Sequence, residues 1–150
     1  MKDEEWIKTL EFGNKYELDA LYYIPYVKYE LSNTNEFDIK TTIKSGKHNY
    51  YEVKSDRYIH KTSNICIEYM SNAICSGISI TKANYYIIFS IKNDVIDEVY
   101  KIPVKFIKKY IENNNLETRC LGYNKLSRCY LINKEVFKKY KKKVKTPQIH

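Results

Sequence analysis

Five consecutive apolar or aromatic residues, Tyr85-Tyr86-Ile87-Ile88-Phe89, place the tightest constraint on how this chain folds. A strand sends alternate side chains to opposite faces, so a continuously apolar strand needs cover on both. It belongs inside a sheet with a layer packed on either side, and the flanking sequence supplies candidates for those layers. Trp6, Ile7 and Leu10 follow an acidic first turn at helical spacing, which suits a helix N-terminus. Gly13-Asn14 interrupts, and Leu18, Leu21 and Tyr22 carry the stripe to Pro25, so one helix or two kinked pieces are expected over residues 3–24. Strands are expected near 36–43 and 48–55, with Ser45-Gly46-Lys47 as the turn between them. Residues 56–63 are polar and read as irregular. A strand near 64–70 would set Ile65, Ile67 and Tyr69 on one face and Cys66, Glu68 and Met70 on the other. A short helical turn over 79–83 precedes the inner strand, and another strand covers 97–102. Pro103 opens a helix to about Asn113, with Val104, Ile107, Tyr110 and Ile111 inward. A small strand near 128–132 and a helix near 134–142 follow. Helix first, strands at the centre and helices again predict an α/β fold, a three-layer sandwich whose mixed central β-sheet is flanked by helices.

A chain of 150 residues reads as one domain over 1–145, with 146–150 the disordered end of a basic tail. No run approaches the roughly 18 apolar residues needed to cross a bilayer, and Met1-Lys2-Asp3-Glu4-Glu5 lacks the apolar core of a secretory signal. An intracellular protein without a membrane partner is expected. Cys66, Cys75, Cys120 and Cys129 match no zinc-site spacing and read as free thiols in a reducing compartment. His48, His60 and His150 likewise form no metal-ligand pattern. The sixteen tyrosines fall mostly in apolar stripes and read as core rather than as base-stacking platforms. A net charge of +8 favours an anionic partner, with nucleic acid the first candidate. Only Arg57, Arg119 and Arg128 stand among 26 basic residues, and the lysine, asparagine, isoleucine and tyrosine excess is also what an AT-rich coding sequence produces. Charge therefore supports this reading without establishing it.

Three polar residues sit where a strand pattern is otherwise apolar. Asp38 lies between Phe37 and Ile39, and Glu52 and Lys54 share a strand face while Tyr51 and Val53 take the other. A hairpin joining the two strands would bring two carboxylates and an ammonium to one spot. Mg²⁺ takes one or two carboxylates together with waters and phosphate oxygens, and a lysine beside it can hold the attacking water of a phosphodiester hydrolysis. The bland readings are an acid on an exposed edge and a surface Glu–Lys pair contributing about 0–1 kcal/mol.

The isolated Asp38 and the acid-x-Lys element Glu52-Val53-Lys54 resemble the PD-(D/E)XK nuclease superfamily. The segments Ser55-Asp56-Arg57, Thr62 to Tyr69, Ser76-Gly77-Ile78 and Thr81 to Tyr86 look like its phage-like and viral endonuclease branch, over roughly residues 13 to 90. The resemblance implies a restriction-endonuclease-like fold and a Mg²⁺-dependent endodeoxyribonuclease, with Mn²⁺ able to substitute and no small-molecule cofactor. It implies Asp38 and Glu52 as metal ligands, completed by the Val53 carbonyl, and Lys54 at the water or the phosphorane-like transition state. Glu17 would reach the metal or its water, and Glu68 would lie beside the site. Arg57, Thr62, Asn64, Ser76 and Lys82 are its candidates for DNA contact, each with a loop-structural role as the alternative. Holliday-junction resolvases among its small members imply branched DNA as substrate and a homodimer. The competing classes are a non-catalytic nucleic-acid-binding module on the same fold and an interaction protein whose motifs are accidental.

Overall fold

The computed structural model describes residues 4–121 and 125–145, with the side chains of Glu5, Trp6, Ile7, Thr9 and Leu10 outside the description. The inward stripe expected of Trp6, Ile7 and Leu10 and the tail end at 146–150 therefore lie outside the described residues. The N-terminal segment does break in two. Helix α1 (Glu4–Lys15) is followed by a 3-10 helix over Glu17–Tyr23.

The central strand reads as expected. β6 (Tyr85–Lys92) is buried from Tyr86 to Ile91 and lies inside a mixed six-stranded sheet. Its neighbours are β3 (His48–Asp56), parallel to it, and β7 (Val95–Pro103), antiparallel. β2 (Ile39–Thr42) pairs with β3, β1 (Lys28–Leu31) closes one edge, and β10 (Lys141–Lys142) closes the other. One face carries Ile39, Tyr51, Val53, Ile87 and Phe89 against Tyr16, Ala20, Tyr23 and Ile24 of the N-terminal segment. The other face carries Tyr86, Ile88, Tyr100 and Ile102.

That second face corrects the expected sandwich. Its cover is chiefly another sheet, four-stranded and antiparallel, in which β4 (Asn64–Ser71) lies between β5 (Ile74–Cys75) and β9 (Ser127–Asn133), and β8 (Thr118–Leu121) closes the far edge. Helix α3 (Val104–Asn113) completes the cover through Val104 and Ile107. The physical reason is visible in the alternation. β4 buries Ile65 and Ile67 but leaves Cys66, Glu68 and Met70 only partly covered, the pattern of a strand packed on one side.

Smaller differences follow from local geometry. The polar stretch after β3 contains a one-turn helix, α2 (Ile59–Thr62), ended by Ser63 in the left-handed region at φ 59°. The turn expected over 79–83 is a 3-10 helix at Gly77–Ser79. Pro103 is the last residue of β7 and caps α3 rather than opening its first turn. The helix expected over 134–142 is a 3-10 helix at Lys134–Tyr140 that straightens into β10. Among the described residues no helix is long and apolar enough to cross a membrane, and all four cysteines are free thiols.

Candidate active site

Asp38 stands just before β2, yet three hydrogen bonds fix it. Its N–H donates to the Tyr51 carbonyl (2.8 Å), its carbonyl accepts from the Ser32 N–H (2.8 Å), and its Oδ2 accepts from the Val53 N–H (2.7 Å). β2 ends opposite Tyr51, so the Asp38 side chain takes up the next backbone donor on that edge of β3. A residue's N–H and C=O leave a strand on the same edge, so the Val53 carbonyl also faces the Asp38 side.

Glu52 and Lys54 leave β3 on the face covered by the second sheet. Their parallel partners there are Tyr86 and Ile88. Glu52 is 6% exposed, and its Oε2 is 3.8 Å from the Lys54 Nζ, too far for a hydrogen bond. From the opposing sheet comes Glu68 of β4, whose Oε2 accepts from the Ser76 hydroxyl at 3.0 Å. Gly77 makes this approach possible: at φ +52° it sits so close that a Cβ would lie 2.2 Å from the Glu68 carbonyl oxygen. The loop carrying Asn35 is tied across by Glu36, whose carbonyl accepts from the Lys82 N–H (2.8 Å) and the Thr81 hydroxyl (3.1 Å).

These contacts enclose a cleft of about 200 Å³ lined by Asn35, Asp38, Glu52, Lys54, Glu68, Ser76, Gly77 and Ile80. Four residues singled out from sequence as candidate catalytic groups, Asp38, Glu52, Lys54 and Glu68, thus line one cavity. Burial pushes the Glu52 carboxyl up to about 7, and the Asp38 and Glu68 charges push the same way against the pull of Lys54 and the Thr81 hydroxyl. Burial also raises Asp38, countered by the Val53 N–H and Lys54. Glu17 is raised by burial and then by the charge of Asp38, so it is close enough to feel the site from the helical side of the sheet.

The remaining candidates stand elsewhere. Arg57 lies over the Phe12 ring, 4.4 Å from its centroid. The Thr62 hydroxyl accepts from the Asn64 N–H (3.1 Å) and donates to the Tyr58 carbonyl (3.1 Å), closing α2. Lys82 is exposed next to the cleft's tether, with its backbone in use. Of the expected DNA contacts, only Ser76 lines the cavity.

Sequence reasoning missed Tyr86. Its hydroxyl is buried without a hydrogen-bond partner among the described residues, and burial together with the charges of Glu52, Glu68 and Asp38 raises the phenol. Reading 85–89 as an apolar run hides it; the β3–β6 register, which sets Tyr86 beside Glu52, reveals it.

Among the described residues no three His, Cys, Asp or Glu side chains are grouped tightly enough to cage a metal. The donors do fit a hard cation that keeps most of its waters. Asp38 and Glu52 are carboxylates on one cleft, and Glu52 is buried without a full counter-charge. Comparison with family models, with curated proteins and with solved structures finds no match to this chain.

Proposed function

We propose that this cleft hydrolyses phosphodiester bonds in DNA with Mg²⁺, Mn²⁺ substituting, and that the two-sheet scaffold is a restriction-endonuclease-like variant. One observation carries the reading: Asp38, Glu52 and Glu68 meet Lys54 in a single cavity, where Glu52 is buried with its charge only partly offset. Asp38 and Glu52 would hold the cation, with the Val53 carbonyl on the same edge; bound there, it supplies Lewis-acid polarisation of the scissile phosphate. The residues do the rest. Lys54, free to leave Glu52, orients the attacking water and offsets charge on the phosphate oxygens. Ser76 holds Glu68 as the wall of the cleft, and Glu17 adds negative potential beneath Asp38. A net charge of +8 draws the substrate in. Branched DNA, which the resemblance implies, is the substrate we favour.

The competing reading is a non-catalytic nucleic-acid-binding module, favoured by the absence of a ready-made three-ligand cage among the described residues. A labelled panel of four-way junction, flap, duplex, single strand and RNA, incubated with Mg²⁺, Mn²⁺ or EDTA, separates the two. Metal-dependent cutting that disappears in Lys54→Ala supports the nuclease. Binding without cleavage under both metals supports the module.

A further inference from the structure

We propose that two copies of this chain associate antiparallel through β1, edge to edge, about a twofold axis at Tyr29. The inference stands on β1 alone and does not depend on the cleft. β1 ends the six-stranded sheet, with β2 as its only strand partner among the described residues. All four of its residues are exposed, and Val27 (67%), Tyr29 (43%) and Leu31 (51%) present large apolar side chains to water. Ser32 donates to Asp38 of the neighbouring chain segment, which fixes the alternation: Glu30 and Lys28 bond inward to β2, and the N–H and C=O of Tyr29 and Leu31 face the open edge. Val27 turns its own N–H inward to the Thr42 carbonyl, so it gives the edge no N–H donor.

The sequence across this edge is complementary to its own reverse. Val27-Lys28-Tyr29-Glu30-Leu31 runs apolar, positive, aromatic, negative, apolar. Centred on Tyr29, antiparallel pairing sets Lys28 against Glu30 of the second copy twice, Tyr29 against Tyr29, and Val27 against Leu31. The charged pairs fall at the non-hydrogen-bonded positions, where side chains approach most closely. The two neighbouring registers with the same hydrogen-bonding edge are centred on Lys28 or on Glu30, and each sets like charges face to face. One register is therefore selected and its neighbours are penalised. Within one chain Lys28 and Glu30 already meet at 3.6 Å in an exposed pair, which is readily exchanged for the partner's charges.

The opposite edge of the same sheet shows what protection looks like. β10 has two residues, both lysine, so self-pairing there would oppose lysine to lysine. β1 has charges, but in an order that permits self-pairing.

Four-residue strands make a small contact, so the dimer is weak and concentration-dependent. Sedimentation equilibrium from about 1 to 200 µM, a range that brackets micromolar affinity, tests it without any cleavage assay. Lys28→Glu and Glu30→Lys should each weaken the dimer about tenfold or more. The double variant should restore it, and mixing the two single variants should give a heterodimer. Circular dichroism checks that these surface changes leave the fold intact. A wild-type monomer at every concentration overturns the proposal, as does a dimer that neither single reversal weakens.

Discussion

Glu52 and Glu98 stand on the same face of the same sheet, in β3 and β7, at 6% and 9% exposure. Burial works to raise both carboxyls, but their partners differ. Glu98 accepts from Lys141 and from Lys134 (2.9 Å), and these bonds outweigh burial and hold it below its ordinary value. Glu52 has one ammonium at 3.8 Å, and burial, with the charges of Asp38 and Glu68 adding to it, raises it to about 7. A fold that can satisfy one buried glutamate completely, and leaves another on the same face short of counter-charge, has room for a cation or a proton at the second. Glu98 is a fastening; Glu52 is the candidate site.

The largest expected effect is on the proposed phosphodiester cleavage. Lys54→Ala or Asp38→Asn should lower cleavage on the order of a thousandfold, whereas Glu98→Gln, measured under the same conditions, should stay within about threefold of wild type. Equal losses in all three would erase the distinction. Next comes stability. Glu98→Ala leaves Lys134 and Lys141 without their carboxylate and should cost about 3 kcal/mol by urea denaturation, less if the half-exposed Lys141 finds water. The smallest effect has the opposite sign. Glu52→Gln, in EDTA at pH 8, should stabilise the protein by about 2 kcal/mol.

The pH dependence follows from the same signs. Glu52 is raised in the folded state, so the folded protein holds its proton longer than the unfolded chain does. Its contribution to stability is full below the ordinary carboxylate value of about 4.5 and falls away as pH rises to about 7. Glu98 is lowered, so its contribution is present above that ordinary value and is lost as pH falls through the folded value beneath it. Glu98→Gln should therefore fall below wild type in stability as pH rises from the folded value of Glu98 to about 4.5, and Glu52→Gln should rise above it between about 4.5 and about 7.

Much of the fold could be read locally. β6 announced itself by unbroken apolar content, β4 by alternation, and α3 by Pro103 followed by Val104 and Ile107. β1 escaped because Lys28-Tyr29-Glu30-Leu31 buries nothing, and strand patterns are patterns of burial. The second sheet escaped for another reason. β4 pairs with β9 from Asn64↔Asn133 to Ser71↔Ser127, and no local signal encodes a partner so distant in the chain. The site divides in the same way. Asp38, Glu52 and Lys54 were legible as polar interruptions, but the Gly77–Glu68 approach and the buried Tyr86 hydroxyl exist only once strands are in register.

β10 contributes two residues to the sheet, Lys141 opposite Tyr100 and Lys142 opposite Val99, and Glu98 beside them holds the ammonium groups of Lys134 and Lys141. In the language of local unfolding, this is a two-residue strand whose own side chains are exposed, anchored through its neighbours Val136, Phe137 and Tyr140 on one side and Val144 on the other. Protonating Glu98 removes the acceptor of both ammonium groups and should loosen the strand, and what the strand covers is the edge of β7 at Val99 and Tyr100. Association of the protein in acid should therefore follow the charge of Glu98, a residue that does not line the cleft.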